Sequence, residues 1–281
     1  MKEISASKIT DTVSRLCREA NSVLPEDVLR ALESAYKRET SGSGREIFEQ
    51  ILKNARLAGQ KDIALCQDTG IADVFIKLGQ NVAVSGGTLK DAVNSGVAKG
   101  YREGYLRKSV VAEPLQLRTN TTDNTPANLY IESVAGDNIE ITVLPKGGGT
   151  ENASALMMLT PQAGWQGVKD FVLETVKAKG INACPPLVLG IGIGGSFSTV
   201  AALAKKALLR PLGEGSKDPF YREKEIELLA ELNALGIGPM GLGGDITALG
   251  VNIEFAPCHI ATLPAAVSMQ CHSLRRKTKN I

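Results

Sequence analysis

Long apolar runs are absent from this 281-residue sequence. No stretch approaches the ~18 consecutive apolar residues that mark a membrane-crossing helix, and Met1-Lys2-Glu3-Ile4-Ser5 carries no apolar signal region. A cytosolic protein is expected. An excess of charge of one sign is also lacking: the formal net charge is +2, too small to imply nucleic-acid binding. The one basic run, Arg275-Arg276-Lys277-Thr278-Lys279, reads as a solvated tail. Aromatic residues are scarce at 4%, whereas glycines number 29, a pairing that suits close backbone approaches around a ligand. Cysteines are few, and five is an odd number. In a reducing compartment that argues against a disulfide framework. With no local C-x-x-C, a zinc-finger or ferredoxin site has no support.

What is present suffices for a large core: 43% of residues are hydrophobic and 22% charged, which excludes wholesale disorder. Ile9, Val13, Leu16 and Cys17 share one helical face, so Cys17 reads as a buried structural thiol. Pro25 before Glu26 and Asp27 is a helix-start pattern, and Ile47, Phe48, Ile51, Leu52 and Ala55 mark a third helix that Gly59 can stop. Val74-Phe75-Ile76 predicts a strand and Thr88 to Tyr105 a helix. Leu129 to Val134 and Ile139 to Leu144 predict two strands paired as a hairpin through Ala135-Gly136-Asp137-Asn138. Helices are expected over Gly164–Lys179, Ser198–Leu209 and Pro219–Leu235, and strands through Ile246–Met269. The reading is one α+β unit over residues 1–281. Its N-terminal region, about 1–60, is helical, and mixed β-sheet units with packed helices follow. Gly241-Leu242-Gly243-Gly244 is the expected inner hinge.

Cys66, Cys184 and Cys271 each sit in a loop-like setting: Cys66-Gln67-Asp68-Thr69-Gly70, Ala183-Cys184-Pro185-Pro186 and Gln270-Cys271-His272-Ser273. Such dispersed thiolates can be inert, or can converge on one cuboidal cluster and leave its fourth iron without a protein ligand. Spacing alone does not decide between these. Gly190, Gly192 and Gly195 follow a strand in a G-x-G-x-x-G pattern. The acidic residue that a dinucleotide fold places about 20 residues on is missing, because Glu214 lies in a polar loop. The same glycines can instead let the backbone approach the Cys184 loop.

Cys66-Gln67-Asp68-Thr69-Gly70, Thr122-Asp123-Asn124-Thr125-Pro126-Ala127, Lys146-Gly147-Gly148-Gly149-Thr150-Glu151-Asn152, Ala183-Cys184-Pro185-Pro186 and Cys258-His259-Ile260-Ala261-Thr262-Leu263-Pro264 together resemble the α half of the class I fumarase and L-tartrate dehydratase family, in the family's order. The resemblance implies an oxygen-sensitive 4Fe–4S hydro-lyase whose cluster is held by Cys66, Cys184 and Cys271, on loops. It places Gln67 and Asp68 beside the substrate, with Asp68 orienting a base supplied by the β half. It makes Arg107 a substrate-carboxylate arginine, and it matches Gly147, Gly148, Gly149 and His259 to substrate-site positions. Asp68 can also be a simple turn residue before Thr69-Gly70, and His259 a satisfied core histidine. Cys258 has no ligand counterpart and reads as structural. Single-chain relatives carry a C-terminal half, whereas only His272 to Ile281 follow Cys271 here. The expected form is therefore the α subunit of a two-chain enzyme with a separate β subunit, in a homo- or hetero-oligomer acting on a small dicarboxylate. Fumarate hydration to L-malate is the first expectation and L-tartrate dehydration the second. Outside the enzyme class stands a cluster- or metal-binding protein that does no chemistry.

Overall fold

The computed structural model describes residues 1–281. In chain order the elements are β1 (Lys2–Ser5), α1 (Ala6–Ser22), α2 (Glu26–Arg38), α3 (Gly42–Lys61), β2 (Ile71–Gly79), β3 (Val82–Ser85), α4 (Leu89–Glu103), β4 (Asn128–Val134), β5 (Ile139–Lys146), α5 (Gly148–Ala153), β6 (Ala155–Leu159), α6 (Gly164–Lys179), β7 (Leu187–Gly194), α7 (Val200–Ala207), α8 (Pro219–Ala234), β8 (Ala248–Ala256), β9 (Leu263–Gln270) and β10 (Lys277–Asn280). This is an α+β fold with three helices in the N-terminal region. No helix is long and apolar enough to cross a membrane. The chain divides into two compact units. The first holds Met1–Pro25, Ala55–Gly148 and Arg275–Ile281; the second holds Glu26–Asn54 and Gly149–Leu274.

In the first unit, α1 starts at a Ser5 cap whose side chain accepts the Lys8 N–H, satisfying one of the otherwise orphaned donors of a first turn. Its apolar stripe, Ile9, Val13, Leu16 and Cys17, is buried with Val93, Val97 and Tyr101 of α4 and with Val74 and Ile76 of β2. The sheet runs β10-β5-β2-β4. The expected β4–β5 hairpin does not form. β2 lies between them, parallel to β4 and antiparallel to β5, and the Ala135–Asn138 turn caps its end, with Gly79 N donating to Asn138 O at 2.9 Å. Val74 and Ile76 are buried, whereas Ile131 of β4 is 54% exposed, so the more apolar strand takes the interior place. The basic C-terminal run is not a solvated tail either. Arg275 and Arg276 are buried, and β10 covers the outer edge of β5, with Lys277 opposite Val143 and Asn280 opposite Glu140.

In the second unit the sheet runs β6-β9-β7-β8, with β7 parallel to β8 and antiparallel to β9. Leu189, Ile191, Val251 and Val267 pack with Val172, Val176, Leu228 and Leu232 of the covering helices. Gly190 and Gly192 lie within β7 and not in a turn beyond it. A Cβ on Gly190 would stand 2.2 Å from the Ala204 carbonyl oxygen, and one on Gly192 2.5 Å from that of Val200. These glycines admit α7 against the strand; they neither make room for the Cys184 loop nor form a phosphate-binding turn. Nor are the 240s the place where the units divide, since they lie inside the second unit. The buried Glu39 carboxylate pins them, accepting N–H groups from Asp245 at 3.0 Å and Ile246 at 3.1 Å.

Candidate active-site residues

The Cys66–Gly70 turn is fixed from four directions. Asp68 Oδ1 accepts the Gly70 N–H at 3.0 Å, which is ordinary turn chemistry. Its second oxygen reaches elsewhere: Oδ2 accepts the Gly148 N–H at 2.7 Å, at the first residue of α5. The turn role therefore accounts for only half of this carboxylate. Gly70 has φ +72, and a Cβ there would meet the Lys146 carbonyl oxygen at 2.5 Å, so only glycine fits. The buried Tyr101 hydroxyl reaches the Thr69 and Gly70 carbonyl oxygens at 2.8 and 3.0 Å, and burial pushes its phenol pKa up, keeping it a neutral donor.

The same bonds gather the quoted motifs. Thr69 Oγ1 donates to the Arg107 carbonyl oxygen at 2.8 Å. Asn124, buried in the Thr122–Ala127 motif, donates from Nδ2 to the Gly70 carbonyl oxygen at 3.2 Å and accepts the Ser109 N–H on Oδ1 at 2.7 Å. The first unit thus brings together Cys66, Gln67, Asp68, Arg107, Gly147 and Gly148. Cys66 is half-buried, and its thiol donates to Gln67 Oε1 at 3.4 Å. The Gln67 and Arg107 side chains are exposed. Sequence reasoning gave no role to Tyr101 or Asn124. The clue available for Asn124 was its motif; Tyr101 looked like any apolar helix residue.

In the second unit, Cys184 precedes β7 and Cys271 follows β9. The antiparallel register, Val188 opposite Gln270, puts both at one end of the sheet, and His272 N donates to the Cys184 carbonyl oxygen at 3.4 Å. Cys184 is exposed and Cys271 half-buried. A Cβ on Gly149 would stand 2.8 Å from the carbonyl oxygen of Asn182, two residues before Cys184. His259 is not brought to these cysteines. It lies on the loop after β8, and Gly194 opposite Ala256 places that loop at the other end of β7, an eight-residue strand that spans about 25 Å at ~3.3 Å per residue. His259 is exposed, with Nδ1 accepting the Ala261 N–H at 3.1 Å, so it is not a core histidine.

The thiols differ in fitness as ligands. Cys17 is fully buried, and burial pushes its thiol up to about 12, so it stays protonated and inert. Cys66, Cys184 and Cys271 lie outside helices and strands, at least partly exposed, and thiolates are the donors iron–sulfur clusters use. Exposure alone does not set Cys258 apart from them; its thiol donates to the Thr262 carbonyl oxygen at 3.4 Å.

Residues 10–280 match the family described as fumarate hydratase (Fumerase). The chain belongs to that family. It is a hydro-lyase. A Methanocaldococcus jannaschii protein provisionally named L(+)-tartrate dehydratase subunit alpha is 47% identical over 280 residues, covering 98% of each chain. L(+)-tartrate dehydratase subunit alpha of an Escherichia coli strain is 34% identical, across 100% of this chain and 93% of its own length. The Shigella sonnei protein of the same name is 34% identical, across 99% and 92%. The fumarate hydratase family assignment thus spans both units.

Proposed function

We propose that this chain is the α subunit of a two-subunit hydro-lyase that reversibly hydrates fumarate to L-malate. The observation that carries the reading is the arrangement around Asp68. Its carboxylate is held by two backbone N–H groups within a turn that also carries Cys66 and Gln67 and is bonded to the Arg107 backbone, in a chain whose family is fumarate hydratase. Hydration adds hydroxide to one alkene carbon and a proton to its neighbour. Asp68 orients the proton-transfer group, which the β subunit supplies. Arg107, exposed beside this turn, forks onto one carboxylate, and Gln67 contributes an amide beside it. The Gly147–Gly149 run leaves the backbone bare next to these groups, with the Gly148 N–H given to Asp68. The thiolates of Cys66, Cys184 and Cys271 would hold a 4Fe–4S cluster, which would supply Lewis-acid polarisation of the substrate hydroxyl and carboxylate. His259, at the far end of β7 from Cys184 and Cys271, is given no role in this reading.

The second reading is dehydration of L(+)-tartrate, favoured by the names of the relatives. The assignment is tested by reconstituting this chain anaerobically with its β subunit and measuring kcat/KM for fumarate, L-malate and L(+)-tartrate. The first reading expects fumarate and L-malate to exceed tartrate by at least about tenfold, which corresponds to ~1.4 kcal/mol in transition-state binding. The reverse order would install the second reading, and no turnover of any of the three would remove both.

A further inference from the structure

Arg275 is the least expected side chain of the first unit. Its residue is 2% exposed, and β10, two residues further on, anchors its backbone along β5. Nη1 donates to Asn21 Oδ1 at 2.9 Å, and Asn21 is itself buried. Nε is enclosed and has no hydrogen-bond partner. A buried guanidinium met only by a neutral amide is expensive to keep, so a nearby anion is the natural reason for it.

Gly147 shows where that charge is aimed. A Cβ on Gly147 would stand 3.1 Å from Asp68 Oδ2 and 3.9 Å from Arg275 Nη2. Carboxylate and guanidinium therefore flank the same bare stretch of backbone, on the side where Oδ2 takes the Gly148 N–H. We propose that Arg275 is a positioning residue for Asp68: its buried charge keeps the carboxylate turned toward Gly147 and Gly148. Arg275 is buried and Asp68 half-buried, so the guanidinium acts on the carboxylate across a partly desolvated stretch, where charges interact more strongly than in water. The Tyr101 phenol, pushed up first by burial, feels both groups, with Arg275 and Asp68 acting in opposite directions. The inference rests on the reading of Asp68 as the orienting carboxylate.

The test uses the reconstituted enzyme with its β subunit. Arg275→Gln is expected to lower kcat by about 10²-fold, the loss that follows from misplacing a positioned group, with KM within about threefold. Arg275→Lys, which keeps the charge, recovers most of the loss. Gly147→Ala leaves the guanidinium intact but puts a methyl against Asp68 Oδ2, and it should lower kcat similarly; if the Gln variant does not fold, an unchanged kcat in Gly147→Ala overturns the proposal. The decisive comparison is the double variant Asp68→Asn/Arg275→Gln, expected to be slower than Asp68→Asn by no more than about twofold, because residues acting as one unit are not additive. Losses that multiply, or Arg275→Gln with kcat within about twofold of the parent, overturn it. Should Asp68→Asn alone leave kcat unchanged, the reading of Asp68 fails, and a urea-unfolding cycle on the same four proteins decides whether the two residues are coupled: additive losses there remove the coupling as well.

Discussion

At the scale of single residues, side-chain chemistry separates the five cysteines better than spacing does. Cys17 was legible from its helical stripe and is sealed in the core of the first unit. The loop settings of Cys66, Cys184 and Cys271 were legible too, from flanking glycine and proline. What spacing could not show is register. Only the antiparallel pairing of β7 with β9 brings the ends carrying Cys184 and Cys271 together, and only the parallel pairing of β7 with β8 sends His259 to the other end. The expected outcome of a cysteine series follows. Anaerobic reconstitution gives a brown protein with about four irons per chain, as a cysteine-held cubane requires. Cys66→Ser, Cys184→Ser and Cys271→Ser each lose the absorbance and the iron, while Cys17→Ser and Cys258→Ser keep both. Retention of a full cluster by any of the first three variants would remove that residue from the ligand set. Loss in Cys258→Ser would add the one other exposed loop thiol.

At the scale of elements, most of the longer helices were legible from an apolar stripe, as in α1, or from a cap: Thr88 caps α4, with its side chain accepting the Asp91 N–H, and Asp218 caps α8 ahead of Pro219; the short α5, Gly148–Ala153, has neither signal and was not expected. Strand partners were read less well. Two runs of strand-forming residues around a turn look like a hairpin, but a third, more apolar strand can displace one of them, as β2 does. The basic tail misled for a related reason. Alternating lysines are what an edge strand carries to block further pairing, so β10 has the composition of a solvated segment and the hydrogen bonds of a sheet. One contact between helices can be titrated. On α8, Glu227 accepts hydrogen bonds from Lys224 Nζ at 2.9 Å, and from Trp165 Nε1 at 3.1 Å and Lys169 Nζ at 3.0 Å, both on α6. Lys224 first, then Trp165 and Lys169, pull its carboxyl from 4.5 to about 2. A carboxylate with a lowered folded pKa stabilises the fold above its unfolded value and loses that contribution as pH falls through the folded one. The difference in Tm between the parent and Glu227→Gln should therefore be constant at pH 5 and above and close as pH drops from about 4.5 toward about 2. A difference that persists unchanged at pH 2 would mean that shape, not charge, is what Gln fails to reproduce.

At the scale of the whole molecule, Asp68 is a well-ordered carboxylate, proposed to orient a group of the β subunit. Both Asp68 oxygens accept backbone N–H groups, from Gly70 and Gly148, so this carboxylate is built to stay in place and not to carry a proton between carbon and water. Arg107 is the one exposed cation bonded through its backbone to that turn, and a dicarboxylate needs a partner at each end, or desolvation opposes its binding. The surface carries exposed apolar side chains near that turn's neighbouring loop. Tyr105, Leu115 and Leu117 stand 94%, 86% and 81% exposed, yet the loop tip is ordered: the Glu113 carboxylate accepts the N–H groups of Leu115, Gln116 and Leu117. An ordered loop that presents apolar side chains to water is costly unless something covers it. The expected behaviour of the isolated chain follows from these facts. It should take up a cluster, bind dicarboxylates weakly, self-associate in sedimentation, and hydrate fumarate slower than the two-subunit enzyme by at least the 10²–10⁴-fold that a positioned acid–base group contributes, about 3–5 kcal/mol. Adding purified β subunit should restore turnover and abolish self-association at the same molar ratio. Full turnover by the reconstituted chain alone would show that its own side chains supply the proton-transfer group, and would return His259, from a second copy of the chain, to consideration as that group.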